Sequence, residues 1–131
     1  AVESSGLNIV VDESCTGSRY YTALVDESPS GLDGMLEAIA DRYFSIDCSC
    51  FSPNTERLEN VVRTAKEHRV RGVVQNILQY CHGYNIEAKA VEKALAKENI
   101  PSLKIVTDYA DEDLEQLRVR IETFAELLRE K

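Results

Sequence analysis

The sequence lacks the features of a secreted or membrane protein. None of its apolar runs approaches the roughly 20 residues that cross a bilayer. Segment 1–8 is polar and has no basic start, so no secretory signal is expected there. We therefore predict a cytoplasmic protein without a membrane partner.

Positive charge is also scarce. The chain has 15 Lys and Arg residues against 23 Asp and Glu residues, a formal net charge of −8. Proteins that bind nucleic acid cluster their Lys and Arg side chains against the phosphates. Here the basic residues are spread over helix faces among acidic ones. This distribution argues against nucleic acid as a main partner.

Metal-binding and disulfide patterns are missing as well. The four cysteines, Cys15, Cys48, Cys50 and Cys81, fit neither a Cys-x-x-Cys zinc pair nor a secreted disulfide framework. We predict reduced thiols, as is usual in the cytoplasm. Glycine-rich phosphate loops of the Gly-x-Gly-x-x-Gly and Walker types are absent too, so nucleotide binding is not predicted.

What is present is an alternation of strand and helix patterns. Short β-branched runs predict strands at Leu7–Asp12, Gly72–Ile77 and Ser102–Val106. Helices are predicted at Arg19–Glu27, Leu32–Phe44, Pro53–His68, Ile86–Glu98 and Glu112–Arg129. This order favours an α/β fold in three layers, a short parallel Rossmann- or flavodoxin-like sheet with helices on both faces. Its 131 residues have the size of one domain.

Apolar side chains recur at one-face spacing along these helices, and we expect such stripes to be core. In the second helix the stripe is Leu32, Met35, Leu36, Ile39, Ala40 and Tyr43. The fourth helix offers Ile86, Ala90, Val91, Ala94 and Leu95, and the last offers Leu114, Leu117, Ile121, Phe124 and Leu128.

Cys81 is the first candidate for chemistry. It follows the predicted strand Gly72–Leu78, Gly83 breaks the chain, and Asn85 can cap a helix that starts at Ile86. Ligands bind at the carboxyl ends of strands in open α/β sheets, and a helix start favours a thiolate. The alternative is a small buried hydrophobic residue without chemistry.

A second candidate is the small-residue turn after the first predicted strand. Thr16, Gly17 and Ser18 form a turn that would let the backbone approach a ligand closely. We name these three as candidate substrate-binding residues. Cys15 precedes them and can line the same sheet edge as Cys81.

Five segments in order resemble the 2-hydroxyacyl-CoA dehydratases and the related benzoyl-CoA reductases, in particular the 2-hydroxyglutaryl-CoA dehydratase D-component type. The resemblance covers nearly the whole chain. The segments are Ser14–Arg19, Cys48–Cys50, Gln79–Glu87, Ile100–Ile105 with Thr107–Tyr109, and Gln116–Phe124.

The resemblance implies a subunit of two α/β domains, of which residues 1–131 would be the carboxyl-terminal one. It implies a [4Fe–4S] cluster between the domains, held by three cysteines. Cys81 matches the ligand from this domain, and the other two would come from the missing amino-terminal domain. One cysteine cannot hold a cubane, so we expect no cluster and no activity in this chain by itself.

The resemblance also implies a reaction and partners. A second dehydratase subunit and an ATP-dependent iron–sulfur activator would act with this one on a CoA thioester in amino-acid fermentation. One electron would make a ketyl radical of the thioester, which loses its hydroxyl group at C2, a lyase reaction. Alternatives are a double-cubane-type reductase domain, a non-catalytic small-ligand-binding α/β module, and an interaction domain in which Cys81 is merely buried.

Overall fold

The computed structural model describes residues 1–15, 17–21, 23–51, 53–108, 110 and 114–130. After a 3₁₀ turn the elements are α1 (Ser18–Tyr21), α2 (Leu32–Phe44), α3 (Thr55–Glu67), β1 (Val73–Leu78), α4 (His82–Lys97), β2 (Ser102–Thr107) and α5 (Leu114–Glu130). They form two compact units, Val11–Cys48 and a sheet unit of Ala1–Val10 with Ser49–Lys131. None of the helices described has both the length and the apolar character that a membrane crossing requires.

The sheet consists of β1 and β2, which pair in parallel from Val73 opposite Ser102 to Leu78 opposite Thr107. Helix α4 makes the crossover between them, as parallel pairing requires. Ile77 and Ile105 are both buried, and the register places them on opposite faces of the sheet. The expected α/β fold class, with helices around a short parallel sheet, is confirmed.

Helices α3 and α4 pack together and form the core of the sheet unit. Their buried apolar residues are Val61, Ala65, Val91 and Leu95, and Leu95 has no exposed surface. Val70, Val73 and Ile100 pack against this cluster from the ends of the helices and the start of β1. Helix α5 buries Ile121, Phe124, Ala125 and Leu128, so most of its predicted seam is core.

The predicted strand Leu7–Asp12 is wrong. Residues 7–12, all of which are described, have no strand structure, and Ile9 and Val10 are exposed. A short apolar run becomes a strand only where a neighbouring strand takes its backbone hydrogen bonds. The sheet in the described residues therefore has two strands.

The predicted helix Arg19–Glu27 is mostly wrong as well. Helix α1 covers only Ser18–Tyr21, Thr22 lies outside the described residues, and residues 23–30 are not helical. The Ser28 N–H donates to the Asp26 carboxylate across 2.9 Å. This local turn competes with a helix, and the hydrogen bond lowers the pKa of Asp26.

Helix α2 has the predicted bounds but not the predicted core. We call Leu32, Met35, Leu36, Ile39, Ala40 and Tyr43 the α2 stripe, and all six residues are exposed. The buried residue of α2 is Ala38 on another face. The spacing identified the residues that share a face, but it did not show whether that face packs against another element or is exposed to solvent.

Helix α3 begins at Thr55, after Asn54 as N-cap, and not at Pro53. Ser52, which directly precedes the predicted start at Pro53, lies outside the described residues. Helix α5 begins at Leu114 in the described part of the chain, and residues 112 and 113 of the predicted helix lie outside it.

Candidate functional site at the start of helix α4

Cys81 joins the carboxyl end of β1 to the amino end of α4. Strand β1 ends at Leu78, Cys81 is the N-cap, and α4 begins at His82. The Cys81 N–H donates to the Leu78 carbonyl across 3.0 Å, and the Cys81 carbonyl accepts the N–H of Asn85 at 3.1 Å. The structure thus places Cys81 where the sequence predicted it.

The helix starts earlier than predicted. Tyr80 has a φ of 69°, in the left-handed region, and this turn reverses the chain so that α4 follows at once. Asn85 therefore lies inside the helix and is not its cap, and Gly83 does not break the chain. Ile86 is 80% exposed, and Ala88 is buried instead.

Gly83 is in close contact with Ser49. A Cβ atom at Gly83 would lie 2.9 Å from Ser49 Oγ and 3.1 Å from the Ser49 carbonyl oxygen. Only glycine permits this approach without a shift of the Ser49 backbone. The contact places part of the Cys48-Ser49-Cys50 segment beside the first turn of α4.

The Cys81 thiol is half-buried and makes no capping hydrogen bond. All four cysteines lie in the described part of the chain and none forms a disulfide. Among the residues described, no three His, Cys, Asp or Glu side chains are grouped so that they could hold a metal ion.

A buried charge pair holds the start of α4 against α3. Arg57 Nη1 donates to Glu87 Oε2 across 2.7 Å, and the two side chains are only 10% and 15% exposed. The Arg57 guanidinium also lies 4.7 Å from the centre of the Tyr84 ring, a cation–π contact. Its buried Nε has no hydrogen-bond partner among the described residues.

This pair was not predicted. The sequence offers one weak signal, opposite charges on two helices that flank the same strand. Three polar residues, His82, Tyr84 and Glu87, follow Cys81 in the sequence. His82 is exposed, while Tyr84 and Glu87 contact Arg57.

Polar side chains also connect the sheet to α4. Lys104 Nζ on β2 donates to Asn85 Oδ1 across 2.5 Å. Thr107 Oγ1 donates to Asn76 Oδ1 at 2.9 Å, and the Gln79 N–H donates to the Thr107 carbonyl at 2.6 Å. The carboxyl ends of both strands are thus fixed close to the turn that carries Cys81.

Ser18 is folded onto Asp12. The Ser18 N–H donates to the Asp12 carbonyl at 3.1 Å, and the Ser18 hydroxyl donates to the same oxygen. A Cβ at Gly17 would lie 3.0 Å from the Asp12 carbonyl oxygen, so the backbone at Asp12 leaves little room for a side chain there. Thr16 lies outside the described residues.

Gly17 and Ser18 belong to the Val11–Cys48 unit and Cys81 to the sheet unit. Substrate binding by Thr16, Gly17 and Ser18 stays a prediction.

Comparison with known proteins identifies relatives. The family model of the 2-hydroxyglutaryl-CoA dehydratase D-component matches residues 1–128. The chain is 40% identical over 129 residues to YjiM of Escherichia coli (strain K12), which is named as a dehydratase subunit, and this match covers 98% of the chain.

Two further relatives carry more specific names. The chain is 28% identical over 128 residues to the (R)-phenyllactyl-CoA dehydratase beta subunit of Clostridium sporogenes, with 97% of the chain covered. It is 29% identical over 133 residues to the beta subunit of the (R)-2-hydroxyglutaryl-CoA dehydratase of Acidaminococcus fermentans, with 98% covered. The chain spans only about a third of the length of these three relatives, 33%, 33% and 34%.

Proposed function

We infer that this chain forms part of a 2-hydroxyacyl-CoA dehydratase subunit, because it belongs to the family of the 2-hydroxyglutaryl-CoA dehydratase D-component. Two of its relatives are named as beta subunits of dehydratases that act on 2-hydroxyacyl-CoA thioesters. We propose the same class of substrate for the full-length subunit, with removal of the hydroxyl group at C2. The observation that supports this most directly is the match along nearly the whole chain.

We propose that Cys81 is the ligand this chain supplies to a [4Fe–4S] cluster. Thiolates are the usual ligands of such clusters. The Cys81 thiol fits this role, since it is half-buried, has no capping hydrogen bond and lies at a helix start. The described residues group no second and third ligand with it, so those ligands would come from the rest of the subunit.

The chain's other residues would hold this ligand in place. Arg57 fixes the first turns of α4 through Tyr84 and Glu87. Lys104 holds Asn85, one turn after Cys81, against the sheet. A ligand on an anchored helix start keeps its direction without the chain having to reorganise.

When bound, such a cluster supplies a site that accepts and passes on one electron. We propose that an ATP-dependent iron–sulfur activator delivers that electron and that a second dehydratase subunit completes the enzyme. These partners are proposed from the family and from the short span of this chain within its relatives.

An activity assay tests the proposed reaction. The full-length subunit, its partner subunit and the activator are incubated with ATP, a low-potential reductant and either (R)-phenyllactyl-CoA or (R)-2-hydroxyglutaryl-CoA. We expect the matching 2-enoyl-CoA from at least one thioester, dependent on ATP. Reduction of a thioester without loss of the hydroxyl group would instead identify a reductase. The absence of any turnover by an iron-loaded complex with both thioesters would contradict these two substrates.

A further inference from the structure

Helix α2 packs on the rest of its unit with a face of small and polar residues. Arg42 donates from Nε to the Ala23 carbonyl and from Nη2 to the Tyr20 carbonyl, both across 2.5 Å. Ala38 is buried, and a Cβ at Gly34 would lie 3.1 Å from the Pro29 Cβ. Residues 34, 38 and 42 are spaced by four and so share one face.

The α2 stripe lies on a different face and is exposed. Its five large side chains, Leu32, Met35, Leu36, Ile39 and Tyr43, have between 44% and 71% of their surface exposed. Spacings of three and four residues align them along one side of the helix over roughly 16 Å. The helix therefore presents a continuous apolar surface to solvent.

Such a surface requires an explanation. Single exposed apolar side chains are ordinary, whereas a contiguous apolar patch marks an interaction site. Among its described residues the Val11–Cys48 unit buries only Arg19 and Ala38, so it lacks a core of its own. More apolar burial is needed to stabilise a unit of this size.

We propose that the α2 stripe docks against the part of the same full-length subunit that lies outside this chain. The chain spans only 33–34% of three relatives, so about two thirds of a comparable subunit is available in the same polypeptide. The stripe lies within the residues that match the family model. The large side chains of the stripe are apolar, so the partner surface should be apolar as well. This inference does not depend on the proposed reaction.

Met35 makes the proposal testable without a mutation. It is the one methionine of this chain and lies within the stripe. Dilute hydrogen peroxide transfers one oxygen atom to an accessible thioether and gives methionine sulfoxide and water. The rate is followed by peptide mass spectrometry in native buffer and in urea. The samples are this chain, the full-length subunit alone, and that subunit with its partner subunit.

We expect Met35 of this chain to be oxidised at nearly the same rate in native buffer as in urea. In the full-length subunit alone we expect oxidation at least about tenfold slower than in urea, as for a covered thioether. Protection that appears only with the partner subunit, or only at high concentration of one subunit, would overturn the proposal. Protection of Met35 already in this chain by itself would also overturn the proposal, and so would the absence of protection in all three samples.

A matched pair of variants checks that protection comes from the stripe. Ile39→Lys places a charge in the middle of the stripe, and Glu37→Lys places the same charge on another face of the same helix. In the full-length subunit, Ile39→Lys should raise the oxidation rate of Met35 toward the value in urea, while Glu37→Lys should leave it slow. Equal effects of the two variants would contradict docking through the stripe.

Discussion

Arg57 on α3 and Glu87 on α4 form a hydrogen-bonded ion pair of 2.7 Å that is almost completely removed from solvent. The same guanidinium lies over the ring of Tyr84, three residues after Cys81. The start of α4 is thus attached to α3 by a charge pair and a cation–π contact. Any group that Cys81 binds depends on this attachment for its position.

Loss of Arg57 should therefore destabilise the protein. Removing one partner of a buried pair leaves an uncompensated charge, so Arg57→Ala should lower the free energy of unfolding by about 3 kcal/mol, measured by urea denaturation. The control is Arg63→Ala on the same helix. Arg63 pairs with Glu67 at 3.3 Å, but both side chains are more than half exposed, so a loss below about 0.5 kcal/mol is expected.

A double-mutant cycle separates the pair from general packing. If Arg57 and Glu87 act together, the double variant Arg57→Ala/Glu87→Ala should lose clearly less free energy of unfolding than the sum of the losses in the two single variants. Additive losses would show that the ion pair contributes nothing beyond the separate side chains.

Gly72 should be intolerant of alanine. A Cβ there would lie 2.8 Å from Phe124 Cζ and 2.8 Å from Leu128 Cδ2, two buried side chains of α5. Overpacking of this kind typically costs about 1–3 kcal/mol, so Gly72→Ala should lower the free energy of unfolding by about 1–2 kcal/mol and lower the urea midpoint accordingly. In a Leu128→Ala background, where space is available, the added methyl group should cost much less. An equal cost in both backgrounds would contradict the close contact.

The sheet was predictable because buried parallel strands are nearly continuous apolar runs. The segments at Gly72 and Ser102 are short and rich in Val, Ile and Leu, although Gln75, Asn76 and Lys104 interrupt them, and the intervening helix provides the crossover that parallel pairing needs. Cys81 was placed correctly for the same reason, since it follows the end of β1.

Other features depend on what lies opposite a residue, which spacing does not show. Leu7–Asp12 has the composition of a strand, but the part of the chain that the structure describes offers it no neighbouring strand. The α2 stripe has core spacing but no cover in the described residues. Arg57 looks like a surface residue of an amphipathic helix until Glu87 is placed beside it. Tyrosine is uncommon in the left-handed region, so the sequence does not indicate the turn at Tyr80 and the start of α4 was predicted too late.

Asp26 should titrate below the ordinary range of aspartate. The Ser28 N–H, followed by the Ser28 side chain, stabilises its ionised form and lowers its pKa. Because the folded pKa is lowered, any contribution to stability is present above the ordinary aspartate pKa and is lost as pH falls through the lowered value. NMR titration of the carboxyl carbon measures this directly. Ser28→Ala, which keeps the N–H, should raise the pKa only in part, and an Asp26 pKa at or above the ordinary value would contradict the turn.

Cys81 should react with a thiol reagent in the native protein. Its side chain is half-buried and lies at the end of β1, where Tyr80 is exposed. A variant with Cys15, Cys48 and Cys50 changed to Ser isolates this thiol, and Cys81→Ser in that background is the control. Labelling without denaturant is expected. Labelling that occurs only in urea would mean that Cys81 is a buried core residue and that the sheet edge is closed.

Iron content tests the central claim that Cys81 is a cluster ligand. Cys81→Ala and Cys48→Ala are prepared in the full-length subunit under anaerobic conditions, and iron and acid-labile sulfide are measured per subunit, with circular dichroism to confirm folding. We predict that Cys81→Ala loses most of its iron and sulfide while it stays folded, and that Cys48→Ala retains the content of the parent protein. Equal iron in Cys81→Ala and in the parent would contradict the assignment.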